Sequence, residues 1–154
     1  MPTRVLKYVS VIGLAFWMGG IAFYGGVAVP LANGVLDTHL EIGLVTRLVT
    51  RVSNLVGIGV LALLAAHGAA AWKTQGRIGR GTLAISWLVL VAAQVALFLL
   101  WGRLDSMLDV PGRRIAPGSG FYGTHERYME LTGVACLAAL VHLWALLSPP
   151  RAKA

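Results

Sequence analysis

The 154-residue chain has one cysteine, six acidic residues and no basic run longer than two. One thiol cannot make an intramolecular disulfide, a Cys-x-x-Cys redox pair or a cysteine zinc site. Four-span oxidoreductases that pass electrons from disulfides to quinone need paired cysteines and are excluded with them. Cys136 lies in the apolar stretch Gly133–Leu147, where a free thiol behaves as a small hydrophobe. Charged residues make up only 12% of the chain, against about 25% in soluble domains. The formal charge is +7, but without basic clusters it does not suggest a nucleic-acid partner.

What the chain has instead is apolar mass. Hydrophobic residues are 57% of it and the mean hydropathy is +0.75. Four segments are long and almost uncharged: Tyr8 to Pro30, Asn54 to Trp72, Thr82 to Trp101 and Met129 to Leu147. A helical membrane crossing takes about 20 such residues, and helices satisfy their own backbone in lipid. Nothing alternates with period two, so a barrel is not expected. The expected fold is all-α, a single four-span integral membrane bundle over residues 1–154. The first apolar run exceeds the roughly 7–15 residues of a signal-peptide core, so it reads as a retained helix.

Charge placement orients this bundle. With four spans, Arg4, Lys7, Lys73, Arg77, Arg80, Arg151 and Lys153 share one side with no acid. The other side carries six cations and all six acids. The uncompensated cations of the short 73–81 connection decide the positive-inside assignment. Both termini are expected in the cytoplasm, with the protein in a bacterial-type inner (plasma) membrane.

The two connections on the outer side have helical character. In Asp37–Ser53, Leu40, Leu44, Leu48 and Val52 repeat every four residues, with Arg47 and Arg51 on another face. This reads as an amphipathic helix, capped by Asp37 or Thr38, that runs into the second span. Arg103–Asp109 reads as an extension of the third helix, with Asp105 and Asp109 four apart. A Pro/Gly stretch from Val110 to Gly123 then breaks the pattern before Thr124 caps the last helix.

Three groups of residues are candidates for chemistry or contact. Ala15, Gly19, Ala22 and Gly26 form a small-residue stripe on the first helix, expected to pack within the bundle or to form a dimer seam. Arg47, Arg51 and Asn54 face Asp105, Glu126 and Glu130 at the outer boundary, where ionisable groups pair because isolation near hydrocarbon is costly. They read as a clasp fixing helix register, or as a site for a lipid headgroup or small anion. His67 lies five residues before Trp72 and His142 five before Leu147. At about 1.5 Å per residue they share one depth, as axial ligands of a single haem b would. Against that, with Arg51 turned inward, helix geometry sends His67 toward a different neighbour from His142. A histidine bonded to a carbonyl or to Gln94 accounts for each position without a cofactor. His39 and His125 form only a loose outer pair.

Other four-helix chemistries lack their residues. A glutathione-handling membrane enzyme needs a glutamate after the Arg51–Asn54 pair, and a small multidrug exporter needs an acid in the first span. Gln94 is the only strongly polar residue at mid-membrane, with Ser86 on its face. A proton-coupled pump without a membrane carboxylate is not expected.

Trp17-Met18-Gly19-Gly20, with Phe23-Tyr24 and then Pro30, resembles the opening helix of a family of small bacterial four-helix membrane proteins of unknown function. The membrane domain of copper-resistance D proteins opens similarly. Leu104-Asp105 followed by Phe121-Tyr122-x-x-His125-x-x-Tyr128 resembles the third connection of the small four-helix family. The resemblance implies a four-helix bundle and assigns no activity. Met18 and Met107 stand singly, so no copper cluster is expected. The favoured reading is a non-enzymatic accessory or packing protein without a cofactor, in contact with membrane lipids and able to join a homo-oligomer or larger membrane complex. The alternative is a haem b electron carrier using His67 and His142, and the third reading is lipid-headgroup or small-anion handling.

Overall fold

The computed structural model describes residues 2–36, 39–109, 111–112 and 114–148, with residues 2, 3, 39 and 40 by backbone only. Capping by Asp37 or Thr38, the Leu40 position of the stripe, and Arg151 and Lys153 therefore lie outside the description. Helix α1 (Pro2–Phe23) passes through a π-helical turn (Tyr24–Ala28) into α2 (Val29–Val35). Then come α3 (His39–Ala71), α4 (Arg77–Ser106), a two-residue hairpin of β1 (Leu108–Asp109) and β2 (Arg114–Ile115), and α5 (Phe121–Leu147). The fold is all-α with four helices long and apolar enough to cross a membrane: Arg4–Val35, Glu41–Ala71, Arg77–Ser106 and Phe121–Leu147.

The π turn has a local cause. Pro30 lacks an N–H and its ring crowds the carbonyl four residues back, so the helix widens just before it. Val29 N–H donates to the carbonyl of Tyr24, five residues earlier. The chain stays helical throughout, which a spanning segment in lipid requires.

The bundle is held unevenly. Helices α4 and α5 pack most closely, followed by α1 on α3 and α3 on α4, whereas α1 meets α5 only sparsely. A core of Leu14, Trp17, Val60, Leu61, Leu64, Leu83, Leu90, Ala139 and Leu146 joins all four long helices. It occupies the half that holds the start of α1 and the 72–76 turn, here called the terminal end. At the opposite, loop end, the buried core shrinks to Ala93, Leu97 and Ala135 on α4 and α5 alone.

Several expectations change. The third helix stops at Ser106, and Asp109 lies in the hairpin rather than on a helical extension. The hairpin closes because the Asp109 carboxylate accepts the Gly112 N–H at 3.0 Å and Arg114 Nε at 3.0 Å. These two donors, the Gly112 N–H foremost, hold the Asp109 carboxyl below the usual carboxylate range. Thr124 does not cap α5: its hydroxyl donates to the Gly120 carbonyl inside the first turn, after Gly120 at φ 71°.

The small-residue stripe does not pack inside the bundle. Ala15, Gly19, Ala22 and Gly26 are all exposed, and a Cβ at Gly19 or Gly26 would meet nothing within 4 Å. The glycine that a neighbour does approach is Gly57, where a Cβ would lie 2.6 Å from Gln94 Oε1 and 2.8 Å from Trp17 Cζ2.

Candidate functional site

Helix α3 is continuous from His39 to Ala71, so the amphipathic segment and the span form one rod. Its apolar positions Leu48 and Val52 are 63% and 60% exposed, while Arg47 turns into the bundle. Beside lipid the usual pattern is inverted, because the polar groups need protein partners. Arg47 Nε and Nη2 donate to the two carboxylate oxygens of Asp105, the Nη2 bond at 3.0 Å. This forked pair is the part of the expected clasp that forms. Arg51, Glu126 and Glu130 are exposed and make no ion pair among the described residues. Arg51 lies one helical turn from Arg47 along α3 and is exposed.

Three tryptophan indoles tie neighbouring helices to carbonyls of α3. Trp17 Nε1 donates to Ser53 at 3.0 Å, Trp87 Nε1 to Leu61 at 3.1 Å and Trp101 Nε1 to Arg47 at 3.4 Å. Nearer the loop end, the Thr46 hydroxyl donates to the Ile42 carbonyl at 2.7 Å, so Tyr24 OH donates to Thr46 Oγ1 at 2.8 Å. Nothing in the periodicity singled out these bonds, since an aromatic residue in a span reads as apolar mass.

Midway along the bundle lies a buried amide pair. Asn54 is 3% and Gln94 4% exposed. Gln94 Nε2 donates to the Asn54 backbone carbonyl and to Asn54 Oδ1, both at 3.2 Å. The backbone carbonyl only accepts, which fixes Nε2 as the donor, and the same donor fixes the nearby Asn54 atom as Oδ1. Tyr128 OH donates to that same oxygen at 3.5 Å. Asn54 Nδ2 is then buried without a partner.

Between these polar levels is a cavity of about 460 Å3, within the roughly 300–1,000 Å3 of small-molecule sites. Asn54, Ser53 and Ala135 form its floor; Trp17, Ile21, Leu97 and Trp101 its walls; Tyr24, Thr46, Arg47 and Asp105 the end toward the loops. Its exposed lining residues are Gly25 and Asn33 on one side and Tyr122, His125 and Met129 on the other. The opening therefore faces the loosely joined flank between the first and last long helices. Trp17-Met18 and Phe121-Tyr122-x-x-His125-x-x-Tyr128, the motifs that carry the resemblance, line it from opposite sides.

The histidine pair sits in the terminal half. His67 is 4% and His142 1% exposed. The expected divergence of the two rings rested on Arg51 facing inward. Arg51 is exposed, and sixteen residues at about 100° each put His67 nearly opposite it, inside the bundle. Ser86 Oγ–H donates to the Thr82 carbonyl at 2.6 Å, so His142 Nδ1–H donates to Ser86 Oγ at 2.8 Å. His142 is thus paired with Ser86 and not with Gln94. His142 Nε2 and His67 Nδ1 are buried without partners. The adjoining cavity is about 210 Å3 and borders His142 but not His67. His125 stacks on Phe121 with centroids 6.2 Å apart, and the His39 side chain lies outside the described residues. No group of three or more His, Cys, Asp or Glu that could hold a metal occurs among the described residues.

No family model, curated protein or solved structure matches the chain. The functional reading rests on the geometry.

Proposed function

We propose that the chain is a non-enzymatic accessory protein of a bacterial-type inner membrane that takes a neutral, largely apolar small molecule from the lipid into its loop-end cavity. The observation that carries this reading is the side-opening space of about 460 Å3, walled by apolar side chains and ringed by few polar ones. The Arg47 guanidinium is already engaged by Asp105 through two hydrogen bonds. A forked pair of this kind neutralises itself, which favours a neutral guest over the free anion or phosphate headgroup that two open arginines would suit. Native mass spectrometry of the detergent-released protein with added monodecanoylglycerol tests it. A saturable one-to-one adduct, lost in Thr50→Trp where the indole fills the cavity, is expected. Failure of the wild-type protein to retain the probe would overturn the reading.

Haem b ligation by His67 and His142 stands second. In its favour, His142 carries Nδ1–H on Ser86 with Nε2 unpartnered, the outer-shell pattern of a ligating imidazole. Against it, the adjoining space is small and borders one ring only. The favoured reading expects a colourless protein; a Soret band lost in both His67→Ala and His142→Ala would reverse the order.

Both termini are assigned to the cytoplasm on the uncompensated Lys73, Arg77 and Arg80. A C-terminal fusion should then fluoresce as a cytoplasmic reporter and stay silent as a periplasmic one.

A further inference from the structure

The turn between α3 and α4 carries charge that the chain does not answer. No acid lies anywhere from Ile42 to Leu104, yet Lys73, Arg77 and Arg80 follow one another through this turn and the first turn of α4. Lys73 and Arg77 are exposed and Arg80 is half-buried. None of the three makes an ion pair or a side-chain hydrogen bond among the described residues. The Arg80 guanidinium stands instead over the Trp72 ring, with Cζ 6.0 Å from the ring centroid. Such a cation–π contact holds the charge at the end of α3 without neutralising it.

Trp72 also lines the space of about 210 Å3 that borders His142. This space is an apolar groove along the α3–α4 seam, running from Trp72 past Gly68, Ala69 and Ala84 to Trp87. Small residues create it: a Cβ at Gly68 would meet nothing within 4 Å. Trp87 forms the far wall, held by its Nε1 bond to the Leu61 carbonyl at 3.1 Å, and the exposed Ala69 and Trp72 mark the open side. Arg80 and Trp87 are seven residues apart along α4, about 10 Å at 1.5 Å per residue. A cationic rim and an apolar groove therefore follow one another along the membrane normal, as the headgroup and acyl chain of a lipid do.

Independently of any guest in the loop-end cavity, we infer that this end of the α3–α4 seam seats an anionic phospholipid. Its phosphate lies on Arg80, with Lys73 and Arg77 beside it, and the start of one acyl chain lies in the groove. Charge complementarity selects this occupant. The arginine fork suits a phosphodiester, and each cation near an anionic lipid surface adds to the attraction. A zwitterionic headgroup would bring an ammonium against Lys73 and Arg77, and a free phosphate would leave the groove unused.

The test titrates the detergent-released full chain with dioleoylphosphatidylglycerol or dioleoylphosphatidylcholine and counts bound lipid by native mass spectrometry. The phosphatidylglycerol should bind at least about tenfold more tightly. Arg80→Gln should weaken it about fivefold, the share of one cation at an anionic surface. Arg103→Gln, at an exposed cation of the loop end, should not. Gly68→Leu, which fills the groove without altering a charge, should weaken binding severalfold, and excess glycerol 3-phosphate should not displace the lipid. Should a variant not fold, the wild-type protein in nanodiscs decides: phosphatidylglycerol brominated early in its acyl chains should quench tryptophan fluorescence more than phosphatidylcholine brominated likewise. Equal binding of the two lipids, equal losses in the two arginine variants, full binding by Gly68→Leu, displacement by glycerol 3-phosphate, or equal quenching would overturn the inference.

Discussion

The two halves of the bundle are held together in different ways. At the terminal end, Leu14, Leu64, Leu90 and Ala139 are fully enclosed where all four long helices converge. At the loop end, tryptophans, tyrosines and threonines stand around a cavity, and the helices are joined by directed bonds: Arg47 to Asp105, Trp101 to the Arg47 carbonyl, Tyr24 to Thr46. Lipid offers no hydrophobic drive between helices, so association depends on close packing and interhelical hydrogen bonds. The terminal half adds its enclosed core to bonds such as Trp87 to the Leu61 carbonyl and His142 to Ser86, whereas the loop half depends mainly on directed bonds. The half held by directed bonds keeps the larger space, about 460 Å3 against about 210 Å3 beside His142.

The comparison is broken most sharply by Leu64→Ala. Leu64 is 0% exposed in the convergent core, and loss of its contacts should cost about 2–5 kcal/mol. Leu104→Ala, in the cavity lining, should lower the melting temperature in detergent by only a small fraction as much. Gly57→Ala comes next. Its methyl would press on Gln94 and Trp17 and should cost about 1–3 kcal/mol, the usual effect of overpacking. Gly19→Ala, with nothing within 4 Å, should be neutral or gain up to about 1 kcal/mol from helix propensity. Equal melting shifts for the two glycine variants would show that the halves do not differ in the way described.

The directed bonds give smaller effects. Arg47→Ala should lower stability by about 1 kcal/mol, the upper end for a solvent-accessible pair, because it leaves Asp105 unpaired at the membrane edge. Arg51→Ala should change it by less than about 0.5 kcal/mol, as for an exposed position away from such features. The hairpin responds to pH. The Asp109 carboxyl is held below its ordinary range by Gly112 and Arg114, so its support is complete above the normal aspartate value. That support is lost as pH falls through the lowered folded value. The Gly112 amide resonance should report this in acid and stay constant near neutrality.

How much of this was legible in the residues follows from what periodicity measures. Four apolar runs of spanning length and the merging of the outer segment, from His39 on, into the second helix came from counting and from the four-residue repeat. That repeat did not say which face looks inward. Leu44, Leu48 and Val52 form one stripe with the arginines on another face, and beside lipid Leu48 and Val52 face out while Arg47 turns toward Asp105. Choosing between Arg47 and Arg51 for the clasp depends on a single helical turn, which sequence spacing alone does not settle. The glycines show the same limit: a stripe of small residues promises a close approach, yet the approach occurs at Gly57, outside the stripe. The cavity had no signal at all. It arises where α1 and α5 meet only sparsely, and a gap between distant segments leaves no pattern in either one.

Cys136 offers the most direct test of the central claim, that the loop-end half encloses a space a small molecule can enter. It is the chain's single thiol and lines the cavity. Ethylmercury labelling of the membrane-embedded protein should modify Cys136 stoichiometrically, and prior loading with monodecanoylglycerol should slow that modification severalfold. A thiol that does not react, or that reacts at the same rate with and without the guest, would contradict the account.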